Sequence, residues 1–301
     1  MDLGTNDKPR PVNVAKEMPK DEKKAMVELM MNLFAWSYED MRGLDPQLYQ
    51  HQIHLSTDVK PVAQRRYRMN PNYAAKVKEE IDKLLKSRFH PAGETCDMVE
   101  PDCGSTPKKN GKIRVCVDYR KLNAATLTDA FPLPFTDDVL DAMAGHEVYS
   151  FLDGFSGYNQ IRIHPADQEK TAFVTEWGVF VAVVMMFGLK TTPTTFQRII
   201  MEIFGEYIPT FMQVFLDDFV VYSRHNEYLD HLRLCLEKCR EYRLSLNPVK
   251  CVFEVTSGNL QGHIVSKDGI AVDTNKVREI LEAPAPSNAK ALSRFLGQIR
   301  W

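Results

Sequence analysis

Two adjacent aspartates, Asp217 and Asp218, stand between two apolar runs of strand-like composition, Phe211-Met-Gln-Val-Phe-Leu216 before them and Phe219-Val-Val-Tyr222 after. Runs this short, rich in Val, Phe and Tyr and parted by two residues, predict a β-hairpin with the acids at its tip. Two carboxylates at one point repel each other unless a divalent cation lies between them. Asp153 closes a similar run, Val148-Tyr-Ser-Phe-Leu152. Three carboxylates at strand ends can hold two Mg²⁺ ions, the arrangement used for phosphoryl and nucleotidyl transfer. On its own an Asp-Asp pair between strands also fits plain turn chemistry, and a lone Asp at a strand end fits a cap. The residues around them decide between these readings.

The chain has 301 residues, 44% hydrophobic and 26% charged, which is globular composition and argues against disorder. That length allows one large domain or a few small lobes. The formal net charge of -2 gives no bulk attraction for nucleic acid, so any basic groove is local. The six cysteines, at 96, 103, 116, 235, 239 and 251, form no CxxC pair and read as reduced thiols rather than a zinc or disulfide framework. No apolar run approaches the ~18 residues of a membrane span. The polar N-terminus of mixed charge fits neither a signal nor a transit peptide. These features predict an intracellular protein, cytoplasmic or nuclear, with no membrane partner.

Along the chain, residues 1–20 read as a linker or tail, and 21–34 as helical. Residues 60–69 are basic and extended. Val77, Ile81, Leu84 and Leu85 recur at helical spacing in 72–88. A basic Asn-Gly turn at 108–112 leads into an alternating strand at 113–119. Thr136 is placed to cap a short helix. Strands are expected at 147–153, 158–163, 171–176 and 179–185. Thr192 reads as an N-cap with Pro193 at N1. A helix at 226–244 turns Leu229, Leu232, Leu236 and Cys239 inward, a hairpin follows at 250–266, and helices start at Thr274 and Ser287. The last is cut at Trp301, which reads as an artificial or prematurely ended product. The pattern suggests an α+β, palm-like core with satellite lobes.

Several stretches, in order, carry a resemblance. They are Arg114-Val-Cys-Val-Asp-Tyr-Arg-Lys-Leu-Asn123, Phe131-Pro-Leu-Pro134, Phe151-Leu-Asp-Gly-Phe-Ser-Gly-Tyr-Asn-Gln-Ile161 and Lys170-Thr-Ala-Phe173. Phe187-Gly-Leu189 with Pro193 and Phe196-Gln197, Phe215-Leu-Asp-Asp218, Leu246-Asn-Pro248 with Lys250-Cys251, and Gly262-His263 complete the set. Over 30–301 the chain resembles the reverse transcriptase of Gypsy-type (Metaviridae) LTR retrotransposon Pol polyproteins.

The resemblance implies an RNA-directed DNA polymerase of right-hand α+β fold, its antiparallel palm sheet packed on helices. It divides the chain into an N-terminal tail and helix (1–40), fingers (41–127 and 161–192), palm (128–160 and 193–266, with a primer-grip hairpin) and the start of a thumb (267–301). Asp153, Asp217 and Asp218 would bind two Mg²⁺, or Mn²⁺, with Asp218 the weakest ligand. Lys250 would protonate the leaving pyrophosphate; otherwise it is an ordinary exposed lysine. Tyr158 would sit beneath the sugar and exclude a 2′-hydroxyl; otherwise it is a core tyrosine. Phe187 and Gly188 would line the nucleotide pocket and Gln197 would face the template. Lys108, Lys109 and Arg114 would hold the triphosphate; otherwise they form a solvated basic turn. Gly262 and His263 would grip the primer end. The implied partners are an RNA or DNA template-primer, dNTPs and the rest of a Pol polyprotein, with protease, ribonuclease H and integrase.

Three positions depart from the family pattern. Gln261 replaces the usual Leu before Gly-His, and Met186 the usual Pro before Phe-Gly. The third departure is larger: where the family has Trp, Ser-Pro and a β-branched run, residues 93–106 read Gly-Glu-Thr-Cys-Asp-Met-Val-Glu-Pro-Asp-Cys-Gly-Ser-Thr, without strand pattern. A reading frame shifted by one nucleotide turns Met98 into Trp. It also permits Trp, Ser, Pro, Ile, Val, Val, Val, Pro for Val99 to Thr106. This predicts a local frameshift closing near Pro107, an irregular segment at 93–106 and an impaired fingers lobe; the alternative is a divergent surface loop. Three functional classes follow: a working polymerase, an inactive remnant with residual nucleic-acid binding, and a metal nuclease or regulatory module built on the same acids.

Overall fold

A computed structural model describes residues 10–14, 24, 26–28, 30, 33–57, 71–85, 89–91, 103–107 and 113–299, with some side chains within 71–116 left undescribed. At its centre is a five-stranded sheet in the order Asn13–Val14, Val252–Val255, Val148–Asp153, Asp218–Ser223, Met212–Phe215. All pairs are antiparallel except the first. Alternation along each strand divides the side chains between two faces. Val148, Leu152, Phe219 and Val221 pack into a core with Phe196, Ile200 and Phe204 of the helix Thr192–Phe204 and Leu232, Cys235 and Leu236 of the helix Tyr228–Glu241. Tyr149, Val220 and Tyr222 face the other way, onto Val139, Leu140 and Met143 of the helix Thr136–Met143 and onto Leu260 and Val265. On the helix side a buried Ser150 shares a 2.7 Å hydrogen bond with Tyr228, so its hydroxyl is satisfied inside the core.

A second core lies outside the sheet. It joins Val77 and Ile81 of the helix Pro71–Leu85 to Val117, Tyr119, Leu122, Phe173, Phe180 and Leu189. The expected amphipathic helix is therefore present, and it ends at Leu85.

Several sequence expectations need correction. Arg10 to Val14 do not form a free tail: Val12 is buried, and Asn13–Val14 add a parallel edge strand beside Val252–Val255. Residues 157–160 form a 3₁₀ turn, Gly157–Gln160, not the start of a strand. Thr136 and Thr192 open their helices from inside, with Phe135 and Thr191 at the cap positions. The stretch 250–266 is no simple hairpin. Val252–Val255 joins the central sheet, and Ser257–Leu260, His263–Ser266 and Gly269–Val272 form a separate meander.

The largest correction concerns the atypical segment. Cys103–Pro107 is a strand, paired antiparallel with Ile113–Val117 from Cys103↔Val117 to Pro107↔Ile113. Backbone pairing does not require the apolar pattern whose absence suggested irregularity. Residues 93–102 lie outside the described residues.

Candidate active site

The acidic hairpin forms, with its turn one residue earlier than the sequence predicts. Met212–Phe215 and Asp218–Ser223 pair with Phe215 opposite Asp218, leaving Leu216 and Asp217 as the turn. Leu216 holds φ 54, an uncommon left-handed conformation for a branched residue, and this sets the direction in which Asp217 leaves the hairpin. Asp218 lies directly opposite Asp153 across the neighbouring strand pair. Directly opposed residues of an antiparallel pair project to the same side, so these two carboxylates share a face.

Neighbouring residues fix this end of the sheet closely. The buried Gln197 accepts from Leu216 N–H at 2.7 Å and donates to the Val214 carbonyl at 3.0 Å, so its amide holds the turn that carries Asp217. With 0% of its surface exposed it does not face a template, which corrects the role expected from the resemblance. A Cβ on Gly157 would stand 2.3 Å from Asp217 Oδ1 and 2.9 Å from the Phe196 ring, so the 3₁₀ turn reaches the acid only because this residue is glycine. Asp153 is braced from behind: its carbonyl accepts from Asn247 N–H at 2.8 Å, and its own N–H donates to Cys251 Sγ at 3.3 Å.

The three acids are electrostatically coupled. Burial, then Asp153 and Asp218, push Asp217 up to about 6. Burial and Asp153 also raise Asp218, and burial raises Asp153 against the pull of Lys250. Their partners differ. Lys250 Nζ lies 2.7 Å from Asp153 Oδ2, Gln261 Nε2 donates to Asp218 Oδ2 at 3.1 Å, and the buried Asp217 Oδ1 has no hydrogen-bond partner. An orphaned anionic oxygen flanked by two further carboxylates is a donor set of hard oxygens, which fits Mg²⁺. Among the described residues no three His, Cys, Asp or Glu side chains are already gathered to hold a metal ion. Lys250 instead holds Asp153 as a competing cation, so the three acids do not yet meet at one metal position.

Of the remaining candidates, Tyr158 is 8% exposed, wedged 5.0 Å from the Phe187 ring and 5.4 Å from Phe196, beside Asp217. Phe187 is 41% exposed and forms the open wall of that cluster. Gly188 takes φ 100, and its carbonyl accepts from Asn123 Nδ2 at 2.6 Å. Asn123 Oδ1 in turn accepts from Lys190 N–H, a clamp that the sequence reading passed over. Gly262 lies in the turn before the strand that His263 opens, and the buried Nδ1 of His263 has no partner. Lys108 and Lys109 lie outside the described residues, and of Arg114 only the backbone, within Ile113–Val117, is described.

The fold is that of a right-hand polymerase. Residues 106–297 match the reverse transcriptase (RNA-dependent DNA polymerase) family, and the chain belongs to it. It is 34% identical over 241 residues to the retrovirus-related Pol polyprotein from transposon opus of Drosophila melanogaster, covering 79% of this chain and 24% of that protein. It is 30% identical over 241 residues to the transposon Tf2-3 polyprotein of Schizosaccharomyces pombe, covering 79% of this chain and 18% of that protein. The chain thus spans about a quarter or less of the curated relatives it matches. Among solved structures it is similar to a foamy viral protease-reverse transcriptase in complex with double-stranded DNA, with a TM-score of 0.83 at 21% identity over 94% of this chain and 50% of that one. The form of that protein in complex with an RNA/DNA hybrid gives 0.80 at 20% identity over 97% of this chain and 41% of that one. Both likenesses bear on the fold. Among the described residues no helix is long and apolar enough to cross a membrane.

Proposed function

We propose that this chain is the polymerase part of a Gypsy-type LTR retrotransposon Pol polyprotein and extends a DNA primer on an RNA or DNA template from dNTPs. The observation that carries this reading is the buried, unpartnered Asp217 Oδ1 between Asp153 and Asp218. A divalent pair held by Asp153, Asp217 and Asp218 would lower the pKa of the primer 3′-hydroxyl and neutralise charge on the transferring phosphate. In this reading fingers (41–127, 161–192), palm (128–160, 193–266) and early thumb (267–301) surround the acids. Tyr158 stands behind Phe187 as a floor for the incoming sugar. Phe187 and Gly188 shape the nucleotide side, with Gly188 fixed by Asn123. Lys250, once off Asp153, is within reach of a phosphate leaving group, and Lys108, Lys109 and Arg114 supply cations for the triphosphate. Gly262 and His263 face the primer end.

Primer extension on an RNA template with Mg²⁺ tests the proposal. The wild-type chain should extend, and Asp217→Asn should lose at least about a thousandfold of the rate while keeping its circular dichroism spectrum. Extension unaffected by Asp217→Asn would sink it; strand cleavage in place of extension would favour a nuclease. Replacing Tyr158 by Ala should raise ribonucleotide incorporation relative to deoxynucleotide, and unchanged discrimination would remove Tyr158 from the sugar site. The second reading, a catalytically inactive remnant, rests on the polar composition of residues 93–106, and a wild-type chain that binds primer-template without extending it would favour it.

A further inference from the structure

We propose that Gln261 is a positioning residue for Asp218, through which the hairpin beside the acids sets the orientation of one metal-binding carboxylate; this rests on the reading of the three acids as metal ligands. The strands Ser257–Leu260 and His263–Ser266 are joined by a two-residue turn, Gln261 at φ 51 and Gly262 at φ 82. Two successive left-handed residues make the turn type that matches strand twist, so the hairpin is tight and Gln261 projects from a fixed point. The turn is braced on both sides. Gly262 N–H donates to Asn259 Oδ1 at 3.2 Å, Asn259 Nδ2 to Asp273 Oδ2 at 2.7 Å, and Asp273 N–H to the Gly262 carbonyl at 3.3 Å. The hairpin is also seated on the central sheet, for a Cβ on Gly258 would stand 2.0 Å from the Phe151 ring, two residues before Asp153. From this platform Gln261 Nε2 reaches Asp218 Oδ2 at 3.1 Å.

The chemistry of the donor matters. Lys250 is a cation on Asp153, and it competes with any metal for that carboxylate. Gln261 is neutral. A carboxylate offers about four lone-pair directions, and one amide donor leaves the others open to a cation. The contact can therefore persist while a metal binds, fixing the carboxylate plane as hydrogen bonds from outside a metal's own ligands commonly do. The leucine usual at this position has no donor to offer.

The test uses the full chain and Mn²⁺ alone, with free Mn²⁺ followed by electron paramagnetic resonance. Gln261→Met keeps length and apolar bulk and removes the donor, and Gln261→Leu serves if the Met variant does not fold. The variant should bind Mn²⁺ roughly tenfold more weakly. Asp218→Ala should also weaken binding, and adding Gln261→Met to Asp218→Ala should change nothing further. Primer extension should then need correspondingly more Mg²⁺ at an unchanged KM for dNTP. Wild-type affinity in the Gln261 variants overturns the proposal. So does an equal loss with and without Asp218, which marks a general effect on the hairpin. Asp217→Asn is the control: wild-type Mn²⁺ affinity in that variant would show that the metal reading itself is wrong and takes this proposal with it.

Discussion

The strands Val148–Asp153 and Cys103–Pro107 are both paired antiparallel along most of their length, yet they are stabilised differently. The first lies at the centre of the sheet with side chains buried on both faces, and its last residue is an acid fixed from several directions. The second is Cys-Gly-Ser-Thr-Pro, a composition with almost no apolar area to bury, and among the described residues a single strand pairs with it. The pairing of the first specifies a site, because core and acid share one strand. The pairing of the second supplies backbone hydrogen bonds, and an amide hydrogen bond contributes only about 1 kcal/mol net.

The largest effect should come from the centre. Leu152→Ala removes a buried side chain of the core that also holds Phe196 and Phe219 and should cost about 3 kcal/mol in urea unfolding, whereas Thr106→Ala should stay within about 0.5 kcal/mol. Equal costs at the two sites would erase the distinction. Next comes pH. Asp217 rises from its ordinary 3.8 to about 6 in the folded chain, so the folded state binds the proton more tightly than the unfolded one. Its contribution to stability is present below pH 4 and is lost as pH rises towards 6. Metal-free wild type should lose roughly 2 kcal/mol across that window relative to Asp217→Asn. Adding Mg²⁺ should restore stability at neutral pH. A parallel pH dependence in wild type and Asp217→Asn would place the destabilising charge elsewhere. The smallest effect is the most diagnostic for the outer strand. Rebuilding residues 98–106 as Trp-Trp-Ser-Pro-Ile-Val-Val-Val-Pro should raise the melting temperature by a few degrees, about 1–2 kcal/mol, and increase primer extension. If neither changes, the polar strand already does what the apolar one would.

What the sequence revealed follows the same division. The acidic hairpin and Asp153 were legible because strand alternation and charge coincide in a few residues, and Val77 with Ile81 because a helix repeats its apolar face. Three features escaped for physical reasons. A two-residue edge strand such as Asn13–Val14 has too few residues to show a period, and its partner lies at the far end of the chain. Cys103–Pro107 pairs through groups that every residue carries, which composition cannot reveal. Gln197 was placed towards the template only by the resemblance; both ends of its amide satisfy backbone groups of the acidic hairpin, so burial costs little. Gln261 stood out in the sequence only as a departure, and its bond to Asp218 needed the folded hairpin to be seen.

The edge strand has a consequence for how the chain folds. Asn13 pairs with Val252 and donates its side-chain amide to the Val249 carbonyl, a contact spanning 236 positions. Closing so long a loop is entropically costly and slow compared with forming the local hairpins. During synthesis residues 10–14 therefore emerge well before Val252–Val255 and wait across this separation for their partner. The five-stranded sheet is therefore complete only when these two distant stretches have met.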